Sequence, residues 1–286
     1  KRRMFKKFET NFAGRKLVVE VGKMATLSNG SCLVRYGETA VLVNVNMSKE
    51  PREGIDFLPL SVDYEERLYS VGKIPGGYIK REGKPSTKAI LVSRVIDRPL
   101  RPLFPKDYRN DTAINALVLA VDPDILPEIP ASVGASIALN ISDIPFDTLV
   151  GTVKVGIVDD EIVLNPDLEQ REKSILDLTV SATPTKICMI EAGANEVSDE
   201  KMLEAIKVAH QEIKNLCEFI FNIKAEVGKK KAEYKSFAIP QELADFISDI
   251  AYDKMKEAVQ TKDKNERDEH VTKLDDFVIE QYKEKY

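Results

Sequence analysis

The reading of this chain turns on Val71-Gly72-Lys73-Ile74-Pro75-Gly76-Gly77-Tyr78-Ile79-Lys80-Arg81-Glu82-Gly83-Lys84-Pro85-Ser86. It is followed closely by Ser93-Arg94-Val95-Ile96-Asp97-Arg98-Pro99-Leu100-Arg101-Pro102-Leu103-Phe104. Gly76, Gly77 and Gly83 make a sterically open loop whose backbone can approach a ligand closely. Lys80, Arg81 and Lys84 offer charge to phosphates, and Tyr78 offers a ring to a base. The same composition also describes a solvated surface loop. Ser86 is a good helix N-cap, and Ala89, Ile90, Val92, Ser93 and Ile96 follow at helical spacing until Pro99 stops the helix. Arg94, Arg98 and Arg101 fall at i, i+4 and i+7, so they lie along one side. Such a set can hold several phosphates through bidentate hydrogen bonds; the alternative is that Asp97 pairs with one arginine and the rest are structural.

Upstream, Leu17–Val21, Ser31–Tyr36, Thr39–Met47 and Phe57–Tyr64 read as strands, with Asn29-Gly30 and Gly37-Glu38 as hairpin turns. Downstream, Thr112–Val121 is an apolar run of strand length. Pro127–Ile141, with Ala131, Gly134, Ala135 and Ala138, suits a helix packed tightly on a sheet. Leu149–Val158, Glu161–Leu164, Ser174–Ala182 and Thr185–Glu191 supply four more strands. Ser198 opens a long helix striped with Met202, Ile206, Ala209, Ile213, Leu216 and Ile220. Strands in groups with helices between them make the class α+β. Lys229-Lys230-Lys231 reads as a linker, and charged helices with apolar stripes follow Pro240. The expected organisation is a core domain over 1–228, with sub-parts of about 10–145 and 146–228, then a truncated all-α domain over 229–286.

Net charge is −5 and the pI is near 5.4, so no global basic field marks a polyanion binder. Distribution is more informative. Between Lys73 and Arg109 ten Lys or Arg face three acids, a local excess of +7 inside an acidic protein. Three scattered cysteines form no CxxC or Cys/His metal pattern; Cys188 and Cys217 read as core, and a reducing cytoplasm is expected. No apolar run reaches the roughly 18 residues of a membrane span, and Lys1-Arg2-Arg3 precedes no hydrophobic stretch. The chain opens without Met and closes in a charged helical pattern, which reads as an excised piece. No Ser/His/Asp triad assembles around His210 or His270, and no GxxxxGK[ST] loop is present.

The two opening segments, in that order, resemble the first core domain of the polynucleotide phosphorylase family. The resemblance extends to Gly37-Glu38-Thr39-Ala40, Phe57-Leu58-Pro59-Leu60, Gly134-Ala135-Ser136, Asp143-Ile144-Pro145-Phe146 and Val163-Leu164-Asn165-Pro166, so it spans nearly the whole chain. It implies an RNase PH-like core (a ribosomal protein S5 domain 2-like βαβ fold) followed by part of a helical domain. The implied enzyme is a ring-shaped homotrimer that degrades RNA from the 3′ end with inorganic phosphate, releases nucleoside diphosphates, runs in reverse and requires Mg²⁺. Single-stranded RNA and degradosome-type partners are implied, and no membrane.

By that resemblance Tyr78, Ile79, Lys80 and Arg81 match a pore loop of two aromatics and two bases, with Ile79 in place of the second aromatic. Arg94, Arg98 and Arg101 match the arginines that follow that loop, and Lys84, by the loop's own composition, joins them as an expected RNA contact. The phosphorolytic centre is implied in the second core domain, so no catalytic residue is expected among these 286. Ser132-Val133-Gly134-Ala135-Ser136 lacks adjacent serines, and Thr179 stands where a lysine is expected. Asp177 is a candidate metal ligand, or a structural carboxylate alone on its strand. On this reading the chain alone is largely inactive. Two rivals stay open: a non-catalytic RNA-binding or ring-assembly subunit of an exosome-like complex, and a small-molecule transferase on the same fold.

Overall fold

The computed structural model describes residues 5–285; Lys1, Arg2 and Arg3 lie outside them. Strands β1 (Lys6–Phe12), β2 (Arg15–Val21), β3 (Gly30–Tyr36) and β4 (Thr39–Met47) run as an antiparallel meander. β5 (Leu60–Glu66) and β6 (Thr112–Ala120) are parallel, and β6 inserts beside β4 to give the order β1-β2-β3-β4-β6-β5. Parallel neighbours need a long crossover, commonly through a helix. Here the crossover carries the glycine-rich loop and the arginine helix, α1 (Thr87–Leu100).

Helix α2 (Glu128–Ile141) is buried at every position from Ile129 to Ile141. Its small residues make this possible: a Cβ on Gly134 would stand 2.6 Å from a Val43 methyl. α2 packs on β3 and β4 and also on β7 (Gly151–Val158) and the long helix α4 (Asp199–Val227). β7, β8 (Glu161–Leu164), β9 (Leu176–Ala182) and β10 (Ile187–Ala194) form a second antiparallel sheet in the order β10-β9-β7-β8. Short α3 (Leu168–Lys173) links β8 to β9, and α4 buries Ala205, Ala209, Ile213, Leu216 and Ile220. From Phe237 onward a separate compact unit holds α5 (Gln241–Val259) and α6 (Lys264–Lys285). These pair antiparallel, with Lys254 over the Phe277 ring and Lys285 over the Phe246 ring.

Several expectations shift. Pro99 does not stop α1; the helix runs to Leu100, because a proline in the last turn removes one ladder bond and Arg101 N–H still reaches the Asp97 carbonyl. The strand expected from Phe57 begins at Leu60, since Pro59 cannot donate to a ladder. Cys188 is half-exposed, on an edge strand, rather than in the core. The lysine run is no free linker. Lys229 N–H and Ala232 N–H donate to the Ile141 and Asp143 carbonyls. Lys231 Nζ donates to the carbonyls of Leu139, Asn140 and Ser142 at 2.9–3.2 Å, capping the C-terminal end of α2. Tyr234 and Ser236 then donate to the two oxygens of Asp107, at 3.0 and 2.5 Å. The first compact unit therefore runs to Ser236, eight residues past 228.

Two measurements check this picture. Burial pushes the Cys32 and Cys217 thiols up to about 12, so Ellman titration of the native chain near pH 8 should count one thiol, Cys188, and three after denaturation. Tyr234→Phe should lower stability by about 1 kcal/mol in urea unfolding, and Asp107→Ala by more, because both strap bonds are lost.

Candidate nucleic-acid interface

The loop between β5 and α1 is held at its base and open at its tip. A 3₁₀ turn (Leu68–Val71) ends on Gly72 at φ +70°, and Glu82 accepts the Leu68 N–H at 2.8 Å. Lys80 N–H donates to the Gly77 carbonyl at 3.0 Å, closing a tight turn with Tyr78 and Ile79 at its apex. Tyr78 is fully exposed and Ile79 is 70% exposed. Lys80 itself adopts φ +51°, a left-handed conformation that costs a side-chain-bearing residue about 1 kcal/mol. Ser86 Oγ accepts the Ala89 N–H at 3.1 Å and starts α1 as expected.

The cations of this segment divide sharply. Lys73, Lys80, Arg81, Lys84 and Arg94 are exposed and have no ion-pair partner among the described residues. Arg98 reaches Glu191 on β10 at 3.0 Å, and Lys88 lies 3.7 Å from Glu66. Arg101 is a clamp: its guanidinium takes both Asp97 oxygens at 2.9 Å and also donates to the Leu58 and Leu60 carbonyls. Asp97 thus neutralises one arginine, while Glu191 and the strand carbonyls could not be located from sequence. Of the expected seven residues, Tyr78, Lys80, Arg81, Lys84 and Arg94 stay exposed without an ion-pair partner among the described residues, Arg98 shares a surface ion pair, and Arg101 is tied to the backbone at Leu58 and Leu60.

Around Asp177 the geometry is that of an ion-pair cluster. Lys154 on β7 is register-paired with Thr179 on β9. Its Nζ stands 3.0 Å from Asp177 Oδ1 and 3.1 Å from Glu128 Oε1. Burial acts to lower the Lys154 pKa, but Glu128 and Asp177 outweigh it and hold the ammonium charged. A cation therefore already stands against Asp177 Oδ1, and the described residues hold no group of three His, Cys, Asp or Glu suited to a metal. These residues do not fit Mg²⁺. Ser132 Oγ donates to the Glu128 carbonyl and Ser136 Oγ accepts the Val150 N–H, so neither hydroxyl cradles a phosphate. His210 Nε2 lies 3.0 Å from the Thr183 carbonyl, a bond internal to the fold.

Residues 13–145 match the 3′ exoribonuclease family, domain 1, and residues 148–212 match domain 2 of the same family. The chain belongs to the 3′ exoribonuclease family. Among its relatives, the polyribonucleotide nucleotidyltransferase of Ruminiclostridium cellulolyticum is 56% identical over 95% of this chain and 38% of its own length. That of Clostridioides difficile is 57% identical over 93% of this chain, again 38% of its length. Alkaliphilus oremlandii has one 56% identical over 99% of this chain and 40% of its length. The chain spans about two fifths of these curated relatives. In the crystal structure of rice Rrp46 the same fold recurs, with a TM-score of 0.58 at 14% identity over 78% of this chain and 96% of that one. The expected RNase PH-like α+β fold is borne out. No helix among the described residues is long and apolar enough to cross a membrane.

This division of the arginines has a direct test. Arg101→Ala should cost about 2 kcal/mol in stability, read by urea unfolding. Arg94→Ala should stay within about 0.5 kcal/mol of the parent.

Proposed function

We propose that these residues are the RNA-holding part of a polyribonucleotide nucleotidyltransferase that shortens RNA from its 3′ end using inorganic phosphate. In that reaction a phosphate oxygen forms a bond to the terminal phosphorus, the bond to the preceding 3′ oxygen breaks, and a nucleoside diphosphate leaves. The reverse direction extends RNA. The observation that carries the reading is the cluster of unpaired cations, Lys73, Lys80, Arg81, Lys84 and Arg94, on an exposed loop and helix beside an unburied tyrosine. Single-stranded RNA needs such a combination: phosphates are met by free charges, and a base stacks on an aromatic face. The likeness to polyribonucleotide nucleotidyltransferases over nearly all of this chain supports the choice of reaction.

The same reading puts the phosphorolytic centre, its phosphate and its Mg²⁺ outside these residues. The serines here are taken up by internal hydrogen bonds, and Asp177 is paired with Lys154. These residues would contribute RNA grip and subunit surface to a cytoplasmic homotrimer, with degradosome-type proteins as further partners. Two results test this. Lys80/Arg81→Ala removes two phosphate contacts, so the log–log dependence of RNA affinity on salt should flatten by about 1.4 for a single strand; an unchanged slope takes the loop out of the RNA path. Purified 1–286 should release no nucleoside diphosphate from poly(A) on adding phosphate, and release would place the chemistry here after all.

A further inference from the structure

A groove of about 440 Å³ opens at the ends of β4, β5 and β6, beside the foot of the arginine helix. Leu60 lines it, and the Leu60 carbonyl is the one that Arg101 holds at 2.9 Å, so groove and helix are fixed to each other. Arg94 and Arg101 are seven residues apart, which returns to the same helix side about 10 Å along the axis. The foot of α1 and the groove therefore meet at the Leu60 backbone.

Its lining suits a base rather than a phosphate. Arg52 Nε donates to Asp111 Oδ2 at 2.7 Å and its Nη2 to Oδ1, so the groove's charge is balanced and it has no net attraction for an anion. The two-point pairing also fixes the guanidinium plane while leaving the side chain 67% exposed. A guanidinium held flat and open is a stacking platform that loses little freedom when a ring covers it. Pro59 supplies apolar wall. At the edge, Asn46 gives its amide nitrogen to Asn44 and keeps its carbonyl oxygen without a partner, and the exposed Ser61 hydroxyl is likewise unused. Acceptor and hydroxyl together can read the polar edge of a ring.

We propose that this groove is a base-binding subsite that takes one unstacked nucleobase of the RNA held by the loop and Arg94. The inference rests on the RNA-holding reading above. The test is an abasic scan in the full chain: adenosine 12-mers, each lacking one base, are titrated against the parent and against Ser61→Trp, which fills the groove. Arg52→Gln, which keeps a bond to Asp111 but removes the planar cation, is run alongside in case the tryptophan disturbs folding. In the parent, one abasic position should weaken binding about tenfold; in both variants intact RNA should bind about tenfold more weakly, that position should carry no further penalty, and the salt slope should be unchanged. An equal penalty at every position, or the same position-specific penalty in parent and variants, overturns the subsite while leaving the RNA reading intact. No binding of any 12-mer at low salt overturns both.

Discussion

Helix α2 has no solvent face, and the rest of the first unit is arranged by that constraint. A helix buried all round must be largely apolar, and its few polar side chains and both of its ends must find partners inside the protein. Small residues let it approach the large sheet, where Gly30 also lies too close to the Ala138 carbonyl to carry a side chain. Its other flank takes β7 and α4, so the two sheets share one core rather than forming two. Its serines are spent on carbonyls and amides of the surrounding backbone. A helix so enclosed keeps its serine hydroxyls inside the fold, out of reach of any ligand at the surface.

Electrostatics sort the basic residues in the same spirit. A planar guanidinium with several donors can be tied down even at the surface when acceptors stand at fixed positions, and Arg101 finds four of them. Lysines and arginines on the loop stand in water, where an ion pair would contribute little to stability. Leaving them unpaired therefore sacrifices almost nothing in folding. The Lys154 cluster is the converse case: with its ammonium mostly buried between two carboxylates, it is interior architecture.

Much of this was legible in the sequence, and the misses have physical causes. Period-2 runs located β2, β3 and β4, an apolar run of strand length located β6, and the 3.6-residue stripes located α1 and α4, because burial writes itself into residue order. β1 went unseen: as an edge strand it reads Lys-Lys-Phe-Glu-Thr-Asn-Phe, with only its last residue buried. α3 is six residues long, too short for a stripe, yet Asp167 and Gln170 form a capping box whose spacing was available as a signal. The loop and the arginine series were legible as a local charge excess, but which arginines remain free was not. That depends on Glu191, Leu58 and Leu60, residues distant in sequence whose proximity only the fold creates.

The strap after α4 bears on how this molecule can be divided. The match to the family's second domain ends at residue 212, and α4 ends at Val227. Either point looks like a natural place to cut. Yet the carbonyls closing α2 find their ammonium in Lys231, and the edge of the Tyr108 ring meets Tyr234 with centroids 5.2 Å apart. A piece ending at Val227 would leave the innermost helix frayed at one end and an aromatic cluster open to water. The physical border of the domain is set by its last hydrogen bond to Asp107, not by the end of its last helix.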